Sequence, residues 1–146
     1  MQISSRFTVA IQVLLCMELL KDEQKVTSGL LASSAAVNPV VVRRLLQQLK
    51  AAGIVRVARG TGGAELLKPA EEITLLEIYR AVECMEKGEL FHFHENPNPL
   101  CPVGRNIHGV LDERLAEIQK AMEQKMESMT LRDLLEDTRE KIRCNT

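Results

Sequence analysis

Residues 26–64 contain no aspartate or glutamate, although they carry Arg43, Arg44, Lys50, Arg56 and Arg59. The punctuation inside this block narrows the possible folds further. Thr27 and Ser28 can cap a short helical pattern whose apolar positions are Leu30, Leu31, Ala35 and Val37, and Asn38-Pro39 breaks it. Asparagine is a strong N-cap, and proline suits the first helical position, where its missing N–H costs nothing. A second helix is therefore predicted from Pro39, with Val42, Leu45, Leu46 and Leu49 as its buried stripe. Val40, Arg43, Arg44, Gln47 and Lys50 fall on its other face. Gly53 supplies the left-handed stop. Strands at 54–58 and 64–67 then flank Arg59-Gly60-Thr61-Gly62-Gly63, whose three glycines permit a tight hairpin. Helix, tight turn, helix, hairpin is the order of a winged helix-turn-helix.

The formal charge of -1 hides a division. Residues 1–68 hold nine Lys/Arg against four Asp/Glu, and residues 69–146 hold ten against sixteen. A basic half on a near-neutral chain points to a polyanionic partner for that half. Aromatic residues are only 3% with no Trp, which argues against a single-strand binder that stacks bases on rings. A nucleotide phosphate loop is rejected, because the G-K-[ST] ending is missing and a strand follows the glycines. No apolar run approaches the roughly 18 residues needed to span a bilayer. Residues 9–20 are interrupted by Gln12 and Glu18 and lack the marks of a secretion signal. A cytoplasmic location and no membrane partner are expected.

The first helix is predicted from the Ser4-Ser5 pair to about Asp22, apolar on more than one side, with Cys16 as a buried, inert thiol. After the hairpin, Thr74 and Glu77 have the spacing of a capping box for a fourth helix. A proline-rich loop follows. From about Pro102, Ile107, Leu111, Leu115, Ile118, Met122, Met126 and Met129 recur at steps of three and four. A rod of this length is more than a small domain can cover, so a dimer helix is expected. Thr130 and Asp133 start a final helix ending near Cys144.

In a helix-turn-helix the start of the second helix enters the major groove. That places Asn38, Pro39, Val40, Val41, Arg43 and Arg44 near base edges or flanking phosphates. Arginine can grip guanine O6 and N7, and valine can meet a thymine methyl. Lys50 and Arg56 are expected on phosphates, which add affinity without reading sequence. Arg59, between the backbone-exposing Gly60 and Gly62, is expected in a minor groove.

SSRFTVA near the start, VTSGLLA, LLQQLKAAGIVRVARGTGGAELLKP and ITLLEIYRAVE together resemble the Rrf-type family of bacterial winged-helix transcription regulators. This family includes the iron–sulfur regulator IscR, the nitric-oxide sensor NsrR and the cysteine-metabolism repressor CymR. The resemblance is close over residues 2–84 and looser along the long helix. It implies a homodimer that binds a palindromic promoter site on double-stranded DNA, usually as a repressor. By the match, Arg59 is the wing arginine and residues 38–44 begin the reading helix. The chain differs at Val41, often aromatic in the family, at Arg43, often acidic, and at Ala64, usually Tyr.

Cluster-binding relatives carry three closely spaced cysteines before the long helix, whereas the corresponding loop here holds Cys101 alone, so no iron–sulfur cluster, metal or other cofactor is expected. The open alternative is a metal, cluster or small-molecule ligand near Cys101, His92 and His94, with Cys84 and His108 as further donors. Cys101 instead has the setting of a reactive thiol. It precedes Pro102, at a helix start whose amides and dipole favour an anion, and Arg105 is expected to stabilise the thiolate further. Oxidation of Cys101 to a sulfenic acid, followed by condensation with Cys144, is the expected redox switch. An enzyme using Cys101 as nucleophile, with His94 or His108 as base, is a remote alternative that no spacing compels.

The fold class expected is mainly α with a small β-hairpin wing, a winged helix-turn-helix plus a long C-terminal dimerisation helix. Residues 1–84 form the DNA-binding domain, 85–103 the sensor loop, and 104–146 the dimerisation and C-terminal helices. The function expected is a promoter-binding, thiol-controlled transcription regulator and no enzyme.

Overall fold

The computed structural model describes residues 4–58, 63–83, 90–91 and 95–145. Within these, helix α1 spans Ser5–Leu20, α2 Ser28–Ala35 and α3 Pro39–Ala51. Strands β1, Val55–Val57, and β2, Ala64–Leu66, follow. A 3-10 turn at Ala70–Glu72 leads into α4, Leu75–Val82, and the chain ends in α5, Pro102–Glu127, and α6, Leu131–Cys144. The mainly α fold with a two-stranded wing is the one the sequence implies.

Helix starts are set by the expected polar residues. Ser4, Thr27, Asn38, Thr74 and Thr130 each accept a hydrogen bond from a backbone N–H in the first turn of α1, α2, α3, α4 and α6. Such bonds satisfy amide groups that have no partner within the helix. One detail needs correction. Thr74 caps α4, but the Glu77 side chain does not close the box; it turns to the Lys68 ammonium, 2.6 Å away. The reciprocal box belongs to α6, where Thr130 and Asp133 bond each other's backbone.

A single core joins α1, α2, α3, α4 and β1 through fully buried residues such as Leu14, Leu31, Leu45, Leu49, Val55 and Ile78. Cys16 is buried in it, as expected of an inert thiol. Leu131 and Leu135 of α6 enter the same core, because α6 lies on α1 and the 3-10 turn. Helix α5 packs on α4.

Two backbone hydrogen bonds sew the α5–α6 junction to the start of α4. Leu75 N–H donates to Met129 O at 2.9 Å, and Leu131 N–H donates to Ile73 O at 2.8 Å, forming a small antiparallel bridge between Thr74 and Thr130. The base of the wing is fixed as tightly. Ala64 N–H donates to Val26 O at 3.0 Å, and a Cβ on Gly63 would stand 2.7 Å from that same oxygen. Only glycine permits this approach.

Candidate nucleic-acid interface

The α2–α3 turn is made by Ala36, Val37 and Asn38. Ala36 adopts φ 53° and ψ 44°, a left-handed conformation for a residue with a Cβ, and its N–H bonds back to α2. The chain then reverses, and Asn38 Oδ1 accepts from Val40 N–H at 2.9 Å. At the other end of α3, Gly53 with φ 77° closes the helix as the sequence predicts.

Val42, Leu45, Leu46 and Leu49 are all buried, so α3 turns the predicted stripe inward. That rotation fixes its outward face. At 100° per residue, Val40, Arg44 and Gln47 stand opposite the buried line, with Arg43 and Lys50 on one flank and Val41 on the other. All of these are exposed, and Val40 and Val41 are unusual exposed apolar residues at 54% and 38%. Among the described residues no ion pair involves Arg43, Arg44 or Lys50. The structure thus brings most of the expected reading residues onto one cationic surface with an apolar spot at its N-terminal end.

Arg56 departs from the expectation. The hairpin register sets it directly across from Glu65, and the two side chains form an ion pair. The block is free of acids along the chain, but folding lays the next residue after it beside Arg56. Both partners are more than half exposed, so the pair holds Arg56 only weakly. Arg59, Gly60 and Gly62 lie outside the described residues, as do Cys84, His92 and His94.

Cys101 occupies the N-cap of α5, half-buried, with no side-chain capping hydrogen bond. The amides of Gly104 and Val103 lower its thiol pKa from the ordinary value. The causes of this lowering are the backbone amides at the start of the helix. Arg105 stands exposed in the same first turn. Cys144 is exposed at the end of α6, and Cys101 and Cys144 are both free thiols. His108 lies on α5 beside Asp112 at 3.2 Å.

The periodic residues of α5 behave unlike those of α3. Ile107, Leu111, Leu115, Met122 and Met126 are only half-buried, and Ile118 is 53% exposed. Val103 and Val110 extend this apolar band into solvent. No residue of α5 is fully buried.

The family model for Rrf2, described as an iron-dependent transcriptional regulator, matches residues 3–137. YwnA of Bacillus subtilis (strain 168), a candidate HTH-type transcriptional regulator, is 46% identical over 91% of this chain and 96% of its own. The HTH-type transcriptional regulator NsrR of Geobacillus kaustophilus (strain HTA426) is 30% identical over 94% of this chain and 91% of its own. A crystal structure of a candidate DNA-binding protein superposes with a TM-score of 0.70 at 40% identity, covering 90% of this chain and 99% of that one. The family description raises the question of iron. Among the described residues no three His, Cys, Asp or Glu side chains gather as a metal site, and Cys84, His92 and His94 lie outside those residues. Among the described residues, too, no helix is long and apolar enough to cross a membrane. Capped helices, an inward-turned α3 stripe, a short wing and a match along nearly the whole chain converge, and the chain belongs to the Rrf2 family of transcriptional regulators.

Proposed function

We propose that the chain is a homodimeric, DNA-binding transcription regulator that represses from a palindromic promoter site and is controlled by the thiol of Cys101. The observation that carries DNA binding is the outward face of α3, where Arg43, Arg44 and Lys50 are exposed and unpaired among the described residues, with Val40 and Val41 beside them. Unpaired guanidinium groups on a helix are ready to exchange water for phosphate or guanine. The partly covered apolar band of α5 supports the dimer, because a second copy of this helix would remove it from water. Two reading helices related by such a dimer would address half-sites about 34 Å apart.

The lowered pKa of Cys101 supports the switch, since the thiolate is the reactive form. A hydroperoxide takes two electrons from the Cys101 sulfur, giving a sulfenic acid and the corresponding alcohol or water. The Cys144 thiol of a second subunit then attacks that sulfur and releases water, leaving a disulfide. A crosslink between the two subunits would change the separation of the reading helices and so the fit to DNA.

The test is a gel shift on the DNA upstream of the chain's own gene, repeated after peroxide and after reductant. Expected are a shift that falls steeply with salt, a crosslinked dimer on a non-reducing gel, and loss of both responses to peroxide in Cys101→Ser. A wild-type chain that stays uncrosslinked, with an unchanged shift, overturns the thiol switch and leaves DNA binding standing.

A further inference from the structure

We infer that Gln47 reads an adenine in the major groove, as the third member of the line Val40, Arg44, Gln47; this rests on the DNA-binding reading above. Gln47 and Gln48 are adjacent in sequence but have opposite surroundings. Gln48 is half-buried, and its carboxamide oxygen is shielded from solvent. Gln47 is exposed on the side of α3 opposite Val42, Leu45, Leu46 and Leu49, and among the described residues no hydrogen bond engages its carboxamide. It follows Arg44 by three residues and Val40 by seven, so the three side chains stack along one edge of the helix.

The chemistry of the carboxamide selects the base. Adenine presents an acceptor at N7 beside a donor at N6, which pair with the Nε2–H and Oε1 of glutamine. Guanine presents acceptors at both N7 and O6, so Oε1 would face another oxygen. The rise from Val40 to Gln47 is about 10.5 Å, close to three base steps of about 3.4 Å each. Arg44 falls between them. Along α3 the three side chains are therefore spaced to meet separate base steps.

The experiment begins with duplexes selected from a random pool by the full-length reduced protein. Each adenine of the selected site is then replaced singly by 7-deazaadenine, which keeps Watson–Crick pairing but removes the N7 acceptor. Wild-type affinity is expected to fall roughly 5- to 150-fold at one adenine per half-site. Gln47→Ala should bind the unmodified site with a similar loss and be indifferent to the replacement at that adenine alone. Gln47→Glu, an acceptor only, should shift the preference at that position toward cytosine, whose N4 donates. A Gln47→Ala protein with the wild-type 7-deaza profile overturns the inference while DNA binding stands. So does one whose affinity falls evenly on all sequences, as a phosphate contact would. Failure to select any duplex overturns the DNA-binding reading itself and this inference with it.

Discussion

Helices α3 and α5 carry the same kind of apolar repeat and meet different fates. In α3 the four predicted positions are all buried, because α2, α4, α1 and β1 surround the helix on that side. In α5 the repeat is longer, yet no residue is fully buried, because α4 supplies the main neighbour of the helix. Periodicity thus identifies a helix and its apolar side. It does not say whether the cover for that side lies within the same chain.

The comparison can be tested directly, beginning with its largest effect. Leu49→Ala is expected to cost about 2–5 kcal/mol in denaturant melts, because its cavity opens where nothing can collapse. Leu115→Ala on half-buried α5 should cost clearly less in dilute protein, and its cost should grow with protein concentration if a second copy covers the helix. Equal, concentration-independent losses at the two sites would erase the distinction. Ile118→Asp, at an exposed position, should leave the far-UV spectrum intact and move the sedimentation profile toward monomer. A profile identical to wild type would place the subunit contact elsewhere.

Smaller effects sharpen the α3 side. Ala36→Gly should stabilise the fold by about 1 kcal/mol, since a left-handed residue with a Cβ is strained there and glycine is not. A lower melting temperature would show that the gain in unfolded-chain freedom outweighs that relief. The least effect is electrostatic. Hydrogen bonds from Thr130 lower the Asp133 pKa. Its contribution is therefore present above the ordinary carboxylate pKa and is lost as pH falls through the lower folded value. Asp133→Asn should flatten the acid limb of the stability curve and leave neutral-pH salt dependence nearly unchanged.

Much of α3 was legible because its signals are local: Asn38 and Pro39 start it, Gly53 stops it, and four leucine or valine positions define its inner side. The features that escaped depend on what folding brings together. Glu65 meets Arg56 only through the hairpin register, and Glu77 leaves the α4 box for Lys68 nine residues earlier. Leu131 and Leu135 read as part of a separate C-terminal segment until α6 returns to the first core. At Cys101 the lowering comes from the peptide amides of Val103 and Gly104, which no sequence letter displays. Gln47 was visible on the outer face, but only its burial in the fold separates it from Gln48.

The bridge between Thr74 and Thr130 has a mechanical consequence. Among the described residues, the polar ties that reach α5 from earlier in the fold cluster toward its C-terminal end: Leu90 N–H to Gln119, Arg80 to Glu123, and Leu75 N–H to Met129 just beyond it. Among the described residues these ties hold the C-terminal half of the helix, and Cys101 caps its other end. From Gln119 back to Cys101 is about 27 Å, so a tilt of about 10° around Gln119 displaces the far tip by about 5 Å. A thiol placed at the tip has the greatest leverage for the least angular work, and a ligand near the fulcrum would have almost none.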